Sequence, residues 1–143
     1  MKTRIHSLAG LLAMLIIASF WLSTLIAEFF LSTQAIAWVK QSIVLGLFVL
    51  IPLLMVTGGS GFALGKNRTH PLIKQKRRRM PFIVLNGVLI LVPAAFYLSW
   101  KAQAGVFDGW FYSIQVLELL AGAANLLLMG LNARDGMRLR KRA

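Results

Sequence analysis

Gln115, Glu118, Gly122, Asn125 and Met129 recur at alternating intervals of three and four, the spacing that stacks side chains on one face of an α-helix. Leu, Val and Ala dominate the remaining faces of the same stretch. Within an apolar segment such a stripe must turn away from lipid, because hydrocarbon offers a polar group no partner. Glu118 is expected about 10–14 Å inside its helix end, at roughly 1.5 Å per residue. A carboxylate at that depth is either protonated or paired.

Lys40 is the natural partner, one to two turns inside the second apolar run from the same side, and Glu28 lies near that end of the first run. Glu28, Lys40, Gln41, Gln115 and Glu118 are therefore expected to form one intramembrane polar cluster, able to hold a proton or a ligand. The structural alternative has Lys40 extending along apolar surface to the interface and Glu118 bonding helices together as a neutral acid. Asn86 and Asn125 fall at similar depth in the other half of the chain's spans, and an amide–amide bond between them would make a second polar layer. Ser19 and Ser23, four apart, read as close-packing residues.

Other chemistry is sparse. Cysteine is absent, which removes disulfides, thiolate metal sites, iron–sulfur clusters and thiol nucleophiles. No nucleophile–base pair or metal-ligand set is visible, so a non-catalytic protein is expected. The run from Gly58 to Asn67 lacks both P-loop requirements, with Ser60 where glycine is needed and Asn67 where a hydroxyl is needed. The dinucleotide fingerprint fails at Leu64. A haem would need His6 together with His70, Met80 or Met129. The segment from Ile5 to Gly10, followed by Phe20-Trp21, is similar to the first helix of small membrane haem and copper proteins of the CopD and HemJ type. That similarity implies haem b as a cofactor, with His6 as a ligand.

These residues need elements to position them, and the elements are apolar spans. Of the 143 residues 58% are hydrophobic and 14% charged, against about 25% charged in an ordinary soluble domain. A chain this short cannot bury so much apolar surface in water. Four runs are long enough to cross a bilayer core, which takes about 20 apolar residues: residues 8–31, 35–57, 81–100 and 111–131. The expected fold is all-α, a single integral-membrane domain of four helices packed up and down, with short links at 32–34 and 101–110 and a longer polar loop from Gly58 to Met80. Pro52 and Pro93 are expected to kink their helices, and Pro81 to start the third. The first run competes with a signal peptide, since Lys2 and Arg4 precede it and Ala35-Ile36-Ala37 resembles a cleavage site. Its apolar stretch exceeds the usual 7–15 residues, which favours a retained helix.

Charge orients the bundle. Fourteen of the sixteen Lys and Arg residues lie before the first run, after the second or after the fourth. Only Lys40 and Lys101 fall on the other side. By the positive-inside rule both termini and the longer loop face the cytoplasm. Lys74, Lys76, Arg77, Arg78 and Arg79 are expected to contact anionic lipid headgroups. The net charge of +12 has no soluble surface shaped to follow a phosphate backbone, so nucleic acid is not an expected partner. Membrane lipids, another membrane protein or a second copy of the chain are.

As a set, Phe20-Trp21-Leu22-Ser23 with Glu28, the Gly58 to Leu64 run, Lys76-Arg77-Arg78-Arg79-Met80 and Asn132-Ala133-Arg134-Asp135-Gly136 resemble small four-span bacterial inner-membrane proteins. The resemblance implies a fold and a location, and transfers no residue role. The functional expectation is a small membrane module acting by binding, as an accessory subunit or a lipid- or quinone-contacting protein. A haem b electron carrier using His6, or a proton-coupled transporter working as an oligomer through Glu118, are the alternatives.

Overall fold

The structure is a computed structural model in which residues 1–142 are described. Its helices are α1 (Lys2–Phe30), α2 (Thr33–Gly65), α3 (Pro71–Asn86), α4 (Val92–Gln103) and α5 (Gly109–Lys141), with a π-helical turn at Gly87–Leu91 between α3 and α4. α3, the π turn and α4 run on as one rod, so four helices are long and apolar enough to cross a membrane. The protein is an all-α integral-membrane four-helix bundle. A helix is what lipid demands, because it satisfies every backbone group within the segment.

Each rod is longer than the apolar run inside it. Thirty-three residues extend about 50 Å, against about 30 Å of hydrocarbon, so the ends reach into the headgroup layers. The expected loop from Gly58 to Met80 is instead mostly helical, and only Lys66 to His70 separate α2 from α3. Glycine and charge suggest a loop; contact with His6 of α1 favours the helix. The Thr57 and Ser60 hydroxyls bond back to the Leu53 and Val56 carbonyls at 2.7 and 2.5 Å, and His6 packs on Gly61. The basic run is built from Lys, Gln and Arg, which are good helix formers. Pro71, not Pro81, takes the first turn of the third rod, while Pro52 and Pro81 lie inside helices. At the π turn the Val92 N–H reaches back five residues to the Gly87 carbonyl, and Pro93, which has no N–H to give, follows at once.

Polar caps end the helices. Ser32 accepts from the Ala35 N–H, His70 Nδ1 from the Leu72 N–H, and Asp108 from the Phe111 N–H at 3.0 Å. Leu31 and Ser32 alone join α1 to α2, and the α4–α5 link turns through Gly105 at a φ of 70°. We call that side the short-loop end and the opposite side the basic end.

Small residues make the seams, as in membrane bundles where backbones must approach. Ala9, Ala13, Ala27, Ala94, Ala95, Ala102 and Ala121 are buried, while Phe48, Leu89, Leu120 and Leu127 face outward. α1 packs chiefly on α2 and also on α5; α3 packs on α5, and α4 on α2. Two glycines admit aromatic rings at these seams. A Cβ at Gly46 would overlap the Phe20 ring, and one at Gly122 would lie 3.0 Å from Trp21. The Trp21 indole N–H then donates to the Leu119 carbonyl at 2.8 Å and pins α1 to α5.

Candidate functional site

The site begins with a lysine that the fold removes from every solvent. Lys40, on the second turn of α2, is 1% exposed, and its Nζ lies 2.7 Å from Glu118 Oε2 of α5. Its only other hydrogen bond among the described residues, 3.5 Å long, goes to Thr24 Oγ1 of α1. Three helices thus meet at one ammonium. Ions buried together recover their desolvation cost only when geometry is good and their remaining hydrogen-bonding capacity is used. Here it is not all used. Gln115, one turn from Glu118 and 3% exposed, has neither its amide nitrogen nor its amide oxygen bonded, and Glu28 Oε1 is buried without a donor. Glu28 is within electrostatic reach of both Lys40 and Glu118. The fold therefore brings Glu28, Lys40, Gln115 and Glu118 to one region.

Gln41 does not join them. It lies exposed on the outer face of α2, about 100° round the helix from Lys40. Thr24 takes its place. The sequence held a signal for it, since Thr24 and Glu28 are four apart and so share a helix face.

Comparison with protein-family models, with curated proteins and with solved structures finds no match. The site must speak through its own chemistry. It offers an ammonium, two carboxylates, a hydroxyl and an unbonded amide, so it can both donate to and accept from a polar group entering between α1, α2 and α5.

The remaining candidates sit elsewhere. Asn86 Nδ2 donates to Asn125 Oδ1 at 2.9 Å and to the Ala121 carbonyl at 2.8 Å, while Asn125 Nδ2 donates to the Ile83 carbonyl at 3.4 Å. Each amide thus bonds its partner side chain's helix as well as its partner, and welds α3 to α5 just below the π turn. His6 Nδ1–H donates to the Thr57 carbonyl at 3.0 Å and to Ser60 Oγ at 3.1 Å, an α1–α2 contact that leaves Nε2 as the bare ring nitrogen. His70 caps α3, Met129 lies in the main apolar core, and Met80 reaches Gly58 and Asn132. Among the described residues no three His, Asp or Glu side chains converge as metal ligands.

The basic cluster divides. Lys74, Arg77 and Arg78 are exposed, and the Arg77 guanidinium stands 5.3 Å over the Phe62 ring. Lys76 is half-buried, with its Nζ close to Gly136. Arg79, expected to contact lipid, turns inward: its Nη1 donates to Asp135 Oδ2 at 2.7 Å and to Asn132 Oδ1 at 3.2 Å. Asp135 is 1% exposed and has Arg134 Nε 3.5 Å from its other oxygen. Sequence reasoning passed over Asp135, because nothing local tells which of many arginines will cross 56 residues to meet it.

At the short-loop end Lys101 Nζ lies 2.5 Å from Asp108 Oδ2 and 5.8 Å from the Tyr97 ring. The Lys101 hydrogen bond and the Phe111 N–H together hold the Asp108 carboxyl below the usual carboxylate range.

Proposed function

We propose that this chain is a small, non-catalytic module of a bacterial inner membrane that acts by binding, with its basic end toward the cytoplasm. Its ligand is the polar head of a membrane-soluble molecule, a quinone carbonyl or a lipid headgroup, taken up among Lys40, Glu118, Gln115 and Glu28. In this role it serves as an accessory subunit, presenting that molecule to a larger membrane protein or to a second copy of itself. One observation supports the reading most: three unbonded polar atoms, Gln115 Nε2, Gln115 Oε1 and Glu28 Oε1, belong to side chains in the same region as a buried ion pair. An unsatisfied buried polar group costs about 1–3 kcal/mol, and native interiors rarely retain several together without something to bond them.

The test is gentle purification from native membranes, followed by an absorption spectrum and mass spectrometry of the co-purifying small molecules. Wild type is expected to retain a quinone or a defined lipid, and Glu118→Gln and Gln115→Leu to lose most of it. Identical small-molecule content in all three would refute the reading. A Soret band abolished by His6→Ala would replace it with a haem carrier. A second reading, an oligomeric proton-coupled transporter, draws support from two carboxylates, Glu28 and Glu118, set around one ammonium. It requires flux in proteoliposomes that Glu118→Gln abolishes.

A further inference from the structure

We infer that the basic end carries a phosphate-binding cleft, separate from the short-loop cluster and independent of its role, where the α2–α3 link meets the last turn of α5. A shallow, open groove of about 480 Å³ lies there. Arg68, His70 and Arg142 give it charge and hydrogen-bond donors, and Ile73 and Leu139 give it apolar lining. No Asp or Glu contributes to its wall.

Counting the acids makes the charge significant. The chain has four Asp and Glu residues in all. Glu118 is taken by Lys40, Asp108 by Lys101, and Asp135 by Arg79 and Arg134. Glu28 stands at the opposite end of α1, beside Lys40. Among the described residues no acidic side chain remains to neutralise Arg68 and Arg142, so both guanidiniums are available to an external anion. Two guanidiniums present planar, forked donors that match phosphate oxygens. His70 adds a third donor: its Nδ1 accepts the Leu72 N–H, so the neutral ring carries its proton on Nε2.

Depth and lining specify the ligand further. The rods extend about 50 Å, slightly beyond the 40–45 Å of a bilayer with its headgroups. Their basic ends therefore lie at headgroup level, where Ile73 and Leu139 can meet the apolar part of an amphiphile. The ligand chemistry is a phosphate group, and its source is either an anionic phospholipid or free phosphate. The exposed Lys74, Arg77 and Arg78 contribute only a general field.

Native mass spectrometry of the full-length protein in detergent, titrated with phosphatidic acid and with phosphatidylcholine, tests this directly. Wild type is expected to retain phosphatidic acid in preference to phosphatidylcholine. Arg68→Ala combined with Arg142→Ala should weaken that retention on the order of 30-fold, as two juxtamembrane cations would. Lys74→Ala combined with Arg78→Ala, the same change of charge outside the cleft, removes only part of the general field and should weaken retention by no more than about 3-fold. Displacement of the lipid by inorganic phosphate would identify free phosphate as the source, and persistence of the lipid would identify the phospholipid. Equal losses in the two double variants, or none in the cleft variant, would overturn the site.

Discussion

Two buried ion pairs of the same length hold this bundle, and they are finished differently. At the short-loop end Lys40 meets Glu118 at 2.7 Å, and around them Gln115 and Glu28 keep three atoms unbonded. At the basic end Arg79 meets Asp135 at 2.7 Å and Asn132 takes a further bond from Arg79, leaving one buried atom unbonded, Asp135 Oδ1, with Arg134 Nε 3.5 Å away. Burial runs in opposite senses: the cation is hidden at the short-loop end, Lys40 at 1% against 12% for Glu118, and the anion at the basic end, Asp135 at 1% against 20% for Arg79. The basic-end pair buries its acid and leaves one atom unbonded. The short-loop pair buries its cation and has three unbonded atoms in its region, the larger spare bonding capacity of the two.

Substitutions sharpen that contrast. The largest effect is expected from Glu118→Leu, which leaves the Lys40 ammonium buried without a counter-ion. Unfolding in detergent should show a loss of about 3–5 kcal/mol. Adding Lys40→Met should restore most of it, since an apolar pair of similar volume often replaces a buried ion pair without cost. A failure of that rescue would mean that the ammonium contributes more than its bond to Glu118. Asp135→Asn at the basic end should cost less, about 1–2 kcal/mol, because Arg79 can turn toward water. Equal losses from Glu118→Leu and Asp135→Asn would erase the distinction between the two ends.

Gln115→Leu acts in the opposite sense. With its ligand stripped, the protein should gain about 1 kcal/mol from removing two unbonded atoms, while the ligand-loaded protein loses stability. Paired melting curves, with and without the native lipid extract, read the difference in sign. The smallest effect belongs to Asp108. Its carboxyl is held below its unfolded value by Lys101 and the Phe111 N–H. The stability it adds is therefore complete above the ordinary aspartate value of about 3.9 and fades as pH falls through the lower folded value. Asp108→Asn should flatten the acid side of a melting-temperature profile and leave neutral pH little changed.

The sequence reveals much of this arrangement where periodicity or solvent decides it. Four apolar runs become four rods, and the stripe in the last span becomes buried Gln115, Gly122, Asn125 and Met129. Legibility fails where a distant partner decides. Gly58 to Met80 reads as a loop until His6 is in place against it. Gln41 shares a sequence neighbourhood with Lys40 but not a face. Arg79 looks like its exposed neighbours until Asp135 claims it across 56 residues. Asn86 and Asn125 were readable as a pair by depth alone, but their bonds to the Ala121 and Ile83 carbonyls depend on how closely the helices approach.

The wide turn at Gly87–Leu91 governs the phase of everything beyond it. One surplus residue in a turn sets all later side chains back by about 100°, so the third rod offers one flank below the turn and a different flank above it. This is how a single transmembrane rod can lean mainly on α5 with its first half and mainly on α2, with α5 beside it, with its second. Deleting one residue there would rotate Leu98, Ser99 and Ala102 out of their seam toward the acyl chains, and would split the bundle at mid-height while every side-chain contact below survived.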